Sequence, residues 1–343
     1  MGPRPRGRIM LFLASILAAC AAPAETPAWT RIDLPGAELH ATADCDGLWY
    51  VVGATRDPAG ATRPAAWTSP DAVTWQRVRF TPDPASQYGP QNVISAVACA
   101  AGRVVMLGSA SGGAHGNPRV STWRRLPDGS MAENTAPFET YGGDTAVDVA
   151  HLSAGPAGFA MAGTRSSGAA AWLSPDGARF TLFENAPGLA GPSVGRDVVP
   201  LPDGRWAVVG GRDDRAAAWY SRDGRRWTAA DLPSGGSDWS ELHRAARDGD
   251  DVVAVGPRGT AFGVWRLHAG VWTDLGVFGG APTGVQSLAV AGDRLIAVAG
   301  GLWLSTDGKS WQQRTVPVTP LAATGRDHTL LVVTAGAAWR STL

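Results

Sequence analysis

Seven tryptophans recur in the same short context along this chain, and their spacing limits what the chain can fold into. Five of the seven are followed two residues later by serine; the set is Trp67, Trp123, Trp172, Trp219, Trp265, Trp303 and Trp339. The intervals fall from 56 residues, between Trp67 and Trp123, to 36 residues, between Trp303 and Trp339. Repeats of this length are typical of stacked or radial architectures in which each unit is one supersecondary element. We therefore expect seven copies of one unit.

Each unit consists of short apolar runs separated by turn residues. Segments 104–108 and 252–256, for example, are rich in valine and end at glycine. Such runs, bounded by Gly, Pro and Asp, are typical of strands, and the mature chain has no sustained helical periodicity. Four antiparallel strands, named a to d, fit into each unit. The predicted fold class is all-β: a seven-bladed β-propeller of four-stranded antiparallel blades over residues 28–343.

A second motif marks the turn between strands c and d. The pattern Ser-x-Asp-Gly-x-x-aromatic begins at Ser174, Ser221 and Ser305, and a fourth copy at Ser69 has Ala72 in place of glycine. The Asp carboxylate is expected to accept backbone N–H groups across the turn, while Gly supplies a positive φ. The aromatic residue is expected to fill the gap between neighbouring blades. Because the motif needs only its own backbone, its predicted role is structural.

This motif resembles the Asp-box, or BNR, repeat of sialidase-like β-propellers. The resemblance covers nearly the whole mature chain and implies the propeller fold. Kelch propellers are an alternative, through Gly210-Gly211 and Gly300-Gly301, and they imply the same architecture and a binding role.

The two ends of the propeller segment complement each other. The seventh unit ends after strand c, and residues 29–35 match the strand-d pattern Trp-x-x-x-x-Leu/Val-Pro of later units. We therefore expect the N-terminal strand to complete the last blade and close the ring, since an open edge invites aggregation. Arg31-Ile32 also resembles the segment that supplies one catalytic arginine in sialidases, but the strand-d pattern explains the same residues.

The first residues predict export and a lipid anchor. Arg4, Arg6 and Arg8 precede an apolar run that is too short to cross a membrane, and Leu17-Ala-Ala-Cys20 resembles a bacterial lipobox. The predicted domains are a lipoprotein signal peptide (1–19), a short tether (20–27) and the propeller (28–343). Cys20 is the predicted lipidation site, which would place the protein in the bacterial cell envelope. Ordinary cleavage after Ala24 is the competing interpretation.

Two cysteines remain, Cys45 and Cys99, at equivalent ends of inner strands in units one and two. Export permits a disulfide between them; buried free thiols are the alternative. No Cys/His spacing resembles a zinc site, so no metal or cofactor is predicted. Lys plus Arg and Asp plus Glu are both 30, which leaves no basic field for nucleic acid. A monomer is expected.

The longest connections are all expected on one face of the ring. They are the b–c loops 54–64 and 109–119 and the d–a segments 82–92, 134–144, 185–196 and 233–241. Because long loops on a rigid scaffold usually carry function, the ligand or partner is expected there. Arginine and aromatic side chains dominate binding hot spots. The predicted contacts are accordingly Tyr88, Tyr141, Arg165, Arg196, Arg212 and Trp239, with solvated loop residues as the alternative interpretation.

The resemblance to sialidases also raises the question of catalysis. It implies a late-chain Tyr nucleophile with a Glu partner, an Asp acid/base and three arginines, but the four tyrosines here are at 50, 88, 141 and 220. No catalytic residue is therefore predicted. The predicted function is a non-catalytic binding or assembly scaffold for a glycan or an envelope protein. The alternative is a sialidase-like or other glycoside hydrolase.

Overall fold

The computed structural model describes residues 1–2, 28–112, 118–233, 239–280 and 282–343, and it confirms the predicted seven-bladed β-propeller. Each blade is an antiparallel sheet whose strands a to d follow one another in the chain, except that the seventh blade takes its strand d from the N-terminal end of the ring. Each of the seven repeated tryptophans lies on a strand c.

The first four blades have the following strands. Blade 1 contains Ala37–Cys45, Leu48–Arg56, Thr62–Ser69 and Gln76–Arg77. Blade 2 contains Val93–Ala100, Arg103–Ala110, Arg119–Arg125 and Met131–Glu133. Blade 3 contains Ala146–Gly155, Gly158–Arg165, Gly168–Ser174 and Thr181–Phe183. Blade 4 contains Ser193–Pro200, Trp206–Arg212, Arg215–Ser221 and Thr228–Ala229.

The remaining three blades follow the same order. Blade 5 contains Arg244–Asp248, Asp251–Arg258, Ala261–His268 and Val271–Phe278. Blade 6 contains Ser287–Ala291, Arg294–Val298, Leu302–Ser305 and Gln312–Arg314. Blade 7 contains Ala322–Arg326, Thr329–Thr334, Ala337–Thr342 and, as strand d, Thr30–Ile32.

Three local features depart from the sequence prediction. Blade 2 has a fifth strand, Phe80–Thr81, which pairs in parallel with its strand d. The d–a connections contain a 3-10 turn at Gly89–Gln91 and a four-residue helix, α1, at Phe138–Tyr141. The predicted loop 54–64 is mostly strand, so the b–c connection of blade 1 shortens to residues 57–61.

The glycine near the end of each apolar run lies inside strand b rather than ending it. At Gly53 an added Cβ would lie 1.9 Å from the carbonyl oxygen of Glu38, and at Gly210 it would lie 1.9 Å from that of Val194. Both carbonyls belong to strand a segments where the pairing register shifts. Glycine is therefore required at these positions because the backbone of strand a approaches too closely for any side chain.

The hydrophobic core is distributed between blades rather than gathered at one centre. Seven clusters of buried residues are found in the described chain, and each joins two neighbouring blades. Trp227 ends one of the Ser-x-Asp-Gly-x-x-aromatic turns, called Asp-box turns here for the motif that they resemble, and it packs in the cluster between blades 3 and 4. The apolar faces of neighbouring sheets therefore bury one another all round the ring, as radial repetition requires.

The c–d turns have the hydrogen bonds that the motif predicts. In blade 6 the Asp307 carboxylate accepts from the backbone N–H groups of Lys309 and Ser310, each at 2.8 Å. Trp311 donates its indole N–H back to the carbonyl of Gly308 at 2.9 Å. In blade 1, Ala72 adopts φ 57°, so an alanine occupies the left-handed conformation that glycine has in the other copies. The turn geometry is retained because its hydrogen bonds are local.

The N-terminal strand closes the ring as predicted. Thr30 to Ile32 pair antiparallel with the last strand, and Arg31 lies on this outer strand in an exposed ion pair with Asp33 at 2.9 Å. Across the same seam, Arg326 of blade 7 contacts Asp44 of blade 1 at 2.8 Å. The last and first blades are thus joined by strand pairing, apolar packing and an ion pair.

Blades 1 and 2 are also linked covalently. Cys45 and Cys99 form a disulfide between neighbouring inner strands, with their Cα atoms 5.7 Å apart. This separation lies inside the range that disulfides require.

Among the residues that the structure describes, none belongs to a helix long and apolar enough to span a membrane. Residues 3–19 of the predicted signal peptide, the lipidation site Cys20 and the whole tether lie outside these residues. The same holds for parts of two predicted loops, residues 113–117 and 234–238.

Candidate functional site

The antiparallel order of the strands gives the ring two different faces. The b–c and d–a connections lie on one face, called here the long-loop face, and the a–b and c–d turns lie on the other, the short-turn face. The a–b turns contain only a few residues in every blade, as expected.

A groove on the long-loop face lies between blades 2 and 3. Two adjoining cavities of about 280 and 620 Å³ form it, and they share a wall. The shared wall consists of Pro118, Arg119, Val120, Phe138, Tyr141 and Gly142. Tyr88 lines the smaller cavity, whereas Asp144 and Asp148 line the larger one. Two of the six predicted contacts, Tyr88 and Tyr141, are therefore brought together here.

Arg119 lies at the centre of this groove between two aromatic rings. Its guanidinium carbon is 4.7 Å from the ring centroid of Phe138 and 5.8 Å from that of Tyr88. Phe138 is 55% exposed although it is a large apolar side chain. Among the described residues, no carboxylate forms an ion pair with Arg119 and no group donates a hydrogen bond to the Asp144 carboxylate. The groove thus presents aromatic rings beside a guanidinium and a carboxylate that the described residues leave without an ion-pair or hydrogen-bond partner.

Arg165 holds the wall of the groove from behind. It is 3% exposed, its Nε donates to Glu184 at 2.9 Å, and its Nη2 donates to the carbonyl of Gly142 at 2.8 Å and to Thr145 at 2.7 Å. These bonds fix the segment that carries Tyr141. Arg165 therefore positions the groove wall and does not present its guanidinium to solvent.

Tyr141 stays protonated in this wall. Burial raises the pKa of its phenol to about 12, and its hydroxyl lies 3.1 Å from that of Thr122. At physiological pH the ring therefore contributes a neutral hydroxyl and an aromatic face.

Glu133 forms the floor of the smaller cavity. Its carboxylate accepts from Ser121 at 2.7 Å, from Ser86 at 2.9 Å and from the backbone N–H of Asp83 at 3.0 Å. These bonds join strands c and d of blade 2 to the connection that carries Tyr88. The position of Tyr88 therefore depends on a residue more than forty positions later in the chain.

Arg196 lies on the inner strand of blade 4, at a register shift between Gly195 and Asp197. Equivalent shifts occur in strand a of blades 1, 2 and 3, the same blades that carry the longer connections. Such bulges re-aim a side chain. The Arg196 guanidinium contacts the carboxylate of Glu241 through Nε and that of Asp148, at 3.7 Å, through Nη1. It therefore links the groove to the inner rim of blades 4 and 5.

The two carboxyls beside Arg196 have pKa values displaced in opposite directions. Burial raises the pKa of Asp148 above its usual value, and this outweighs the bond from the backbone N–H of Thr164. Burial also acts to raise the pKa of Glu241, but hydrogen bonds from His243 and Arg196 outweigh it and leave that pKa lowered. A pair displaced in this way resembles the acid and base of a hydrolase.

A second buried pair supports this rim. Asp197 is 2% exposed and lies 2.7 Å from Nδ1 of His151. Its other oxygen accepts the backbone N–H of Ala245 of blade 5 at 3.0 Å. Asp197 thus ties three inner strands together.

The last two predicted contacts lie outside the groove. Arg212 donates to the carbonyls of Gly188, Leu189 and Ala190 at 3.0 to 3.1 Å, and its guanidinium lies 5.1 Å from the ring of Trp219. It therefore braces a loop between blades 3 and 4. Trp239 is 44% exposed and has no hydrogen bond from its indole N–H among the described residues.

Sequence reasoning missed Arg119, Phe138 and Glu133. Arg119 begins a strand, and Phe138 lies in a short helix without a periodic signal, so neither stands out from spacing. The apolar Phe138 in the loop 134–144, which also holds the predicted contact Tyr141, was a signal that could have added it to the groove. No cluster of three or more His, Cys, Asp or Glu within the described ranges has the arrangement of a metal site.

Comparison with known proteins identifies the fold without a family. No protein-family model matches the chain. No curated protein matches it either.

Solved structures do match, at low sequence identity. A chain in the crystal structure of the mitotic checkpoint complex shares 13% identity with a TM-score of 0.59, covering 98% of this chain and 99% of that one. The β-propeller domain of the trilobed protease from Pyrococcus furiosus shares 8% identity with a TM-score of 0.57, covering 90% and 93%. A protein from Lactobacillus plantarum shares 13% identity with a TM-score of 0.55, covering 83% and 88%. Likeness at this level of identity shows the propeller fold alone.

Proposed function

We propose that this protein is an exported, lipid-anchored β-propeller that binds a glycan in the groove between blades 2 and 3 without transforming it. The observation that carries the proposal is the composition of the groove. The Phe138 and Tyr88 rings, the Arg119 guanidinium and the Asp144 carboxylate line its two adjoining cavities, and neither charged group has an ion-pair partner among the described residues.

This combination suits a sugar. A pyranose ring has an apolar face that packs on an aromatic ring, and its hydroxyls both donate and accept hydrogen bonds. Phe138 and Tyr88 supply aromatic faces, Arg119 supplies donors, and Asp144 supplies an acceptor. The side chains that hold the wall, such as Arg165, are already fully engaged, which keeps the surface preformed.

The size of the groove favours a glycan over a protein partner. Its cavities fall in or near the range of roughly 300 to 1,000 Å³ that is typical of small-ligand sites. A protein interface is usually flatter and buries about 800 Å² on each partner. An envelope protein is therefore the second partner class, to be sought if no glycan binds.

A glycan array with the purified protein tests this proposal. We expect binding that falls at least about fivefold in Phe138→Ala, since removal of a stacking ring at a binding hot spot typically costs more than about 1 kcal/mol. Val271→Ala is the matched control, because Val271 is also an exposed apolar side chain but lies outside the groove. Absence of binding to every glycan, or equal loss in both variants, would contradict the proposal.

The lipid anchor rests on the lipobox at Cys20, and the disulfide is consistent with export. Cys20→Ala is expected to release the protein from the membrane fraction, because the thiol is the site of acylation. Cell fractionation measures this. A variant that remains with the membrane would argue against acylation at Cys20.

Glycoside hydrolysis is the second candidate function, and the Asp148–Arg196–Glu241 group favours it. Asp148, with its raised pKa, has the property of a general acid, and Glu241, with its lowered pKa, that of a base or nucleophile. Both contact one guanidinium, so they are close in space. In this candidate the pair would act on a sugar that extends from the groove to the inner rim.

Release of reducing sugar from the glycans that bind distinguishes the two functions. A hydrolase is expected to lose turnover in Glu241→Gln while it keeps its binding. If the native protein releases no sugar from any bound glycan, the binding function stands alone.

A further inference from the structure

The direction of the N-terminal strand determines which face of the ring lies next to the lipid anchor. Thr30 pairs with Arg340, near the end of the last strand c, and Ile32 pairs with Ala338. Every strand c ends at a c–d turn, so the chain enters the propeller from the short-turn face. From Cys20 to Trp29 only eight residues intervene, which span at most about 30 Å when fully extended.

A basic corner lies on the same face. The c–d turn of blade 4 has the sequence Ser-Arg-Asp-Gly-Arg-Arg-Trp, in which Arg222, Arg225 and Arg226 are exposed. Among the described residues none of the three has an ion-pair partner. Arg205, from the neighbouring a–b turn, pairs with Asp203 at 2.6 Å. Four arginines and two aspartates, Asp203 and Asp223, leave an excess of two positive charges at this corner (4 − 2 = 2).

We infer that the short-turn face is turned toward an anionic phospholipid surface, with the blade 4 corner as its docking point, the basic part of a face whose other turns include Asp46, Asp71, Asp250 and Asp293. The inference rests on the proposed anchor at Cys20. Blade 4 is on the far side of the ring from blade 7, where the tether enters. An anchor on one side and a basic contact on the other hold the ring flat on the membrane. The groove, on the opposite face, then points away from the membrane toward its ligand.

Charge complementarity identifies the occupant. An arginine close to an anionic leaflet contributes roughly a fivefold gain in binding, and the effect falls within a Debye length of the surface. The Arg222, Arg225 and Arg226 side chains are long, exposed and on one turn, so they reach the headgroups together. A lipid anchor together with a polybasic patch is one of the combinations that attach a protein stably to a membrane.

Fluorescence quenching by headgroup-labelled lipid measures the orientation. The acylated full-length protein is reconstituted into vesicles with about a third phosphatidylglycerol, carrying a fluorophore at Ala157→Cys or at Gln87→Cys. Ala157 is exposed on the short-turn face of blade 3, and Gln87 is exposed on the long-loop face. We expect several-fold stronger quenching at position 157 than at position 87. Equal quenching, or stronger quenching at position 87, would overturn the inference.

A pair of charge-matched triple variants tests the docking point. Arg222→Gln with Arg225→Gln and Arg226→Gln is expected to abolish the difference between the two label positions. The control, Arg31→Gln with Arg63→Gln and Arg77→Gln, removes the same charge from the exposed outer wall of blades 7 and 1 and is expected to preserve it. If the control loses the difference and the blade 4 variant keeps it, the ring stands on its edge and the inference is wrong.

The experiments distinguish a wrong assignment of the lipid anchor from a wrong orientation of the ring. If Cys20→Ala does not change fractionation, the proposed anchoring fails. If the anchored protein shows no orientation in the anionic vesicles, anchoring stands and only this inference fails. Purely zwitterionic vesicles should weaken the difference between positions 157 and 87, and an unchanged difference there would show that the arginines do not act through lipid charge.

Discussion

The c–d turns of the short-turn face and the connections of the long-loop face are stabilised in different ways, although Arg326 and Arg103 also link neighbouring blades on the short-turn face. On the short-turn face each Asp-box closes on itself: Asp176 accepts the backbone N–H groups of Ala178 and Arg179, two and three residues later. On the long-loop face the bonds join distant segments, such as Glu133 to Ser86 and Arg196 to Glu241. A self-contained turn can be repeated in any blade. A shared network exists once, and it can therefore shape a specific site.

The largest expected effect on stability comes from the long-loop face. Arg165→Met keeps the apolar stem but removes the guanidinium from Glu184, Gly142 and Thr145. Breaking a buried ion pair costs about 3–5 kcal/mol, and because Glu184 is about a third exposed we expect about 2–4 kcal/mol. Urea unfolding measures it. Arg179→Met, an exposed arginine of the short-turn face, should stay within about 0.5 kcal/mol. Equal losses would remove the distinction between the faces.

A smaller loss is expected at the floor of the groove. Glu133→Gln places an amide N–H where a carboxylate oxygen now accepts hydrogen bonds, so one donor from Ser86, Ser121 or Asp83 loses its acceptor. The expected cost is about 1–3 kcal/mol. Hydrogen exchange should show faster exchange in residues 83–92 than in the Asp-box turns. Uniform acceleration over the ring would show that Glu133 does not act locally.

The Asp-box turns should differ among themselves by hydrogen-bond count. The Asp176 carboxylate accepts two backbone N–H groups and the hydroxyl of Ser174, whereas that of Asp223 accepts one backbone N–H, from Arg225 at 3.0 Å. Asp176→Ala should therefore destabilise by about 1 kcal/mol and Asp223→Ala by less. Neither should change glycan binding. Loss of binding without loss of stability in Asp223→Ala would place the functional surface on the short-turn face.

The smallest effects concern pH and have opposite signs on the two faces. Hydrogen bonds from the backbone N–H groups of Thr74 and Val73 lower the pKa of Asp71 to about 2, so its contribution to stability is present above about pH 4 and lost as the pH falls toward 2. Asp71→Asn should reduce this loss of stability at acid pH.

Burial raises the pKa of Asp148, so the stability that its protonated form contributes is lost as the pH rises through the pKa of the folded state. Asp148→Asn should reduce that second loss, and thermal melts across pH measure both.

The features that could be predicted from the sequence are those held by local contacts. The strand-c tryptophans, the Asp-box turns and the closing strand at residues 30–32 were predictable because each has a local pattern that recurs at a known interval. The sequence shows Gly53 near the end of an apolar run, but it does not show why glycine is required there. The requirement comes from the close approach of strand a, which depends on a register shift.

The sequence predicted the face that carries the groove, but not the groove itself. Tyr88 and Tyr141 were selected as loop aromatics and do line it. Arg165 and Arg212 were selected by the same reasoning, yet their guanidinium groups are engaged with loop carbonyls. Whether an arginine faces solvent or braces a loop depends on partners that are about twenty residues away in the chain, and no spacing in the sequence records that.

A hydrogen-exchange footprint of the protein with the strongest binder from the glycan array tests the position of the binding site most directly. We expect slower exchange in residues 118–121 and 138–149, which contain groove-lining residues, and no change in the Asp-box turns 174–180, 221–227 and 305–311. Protection of those turns, with residues 118–121 and 138–149 unchanged, would contradict the assignment of the binding site to the long-loop face.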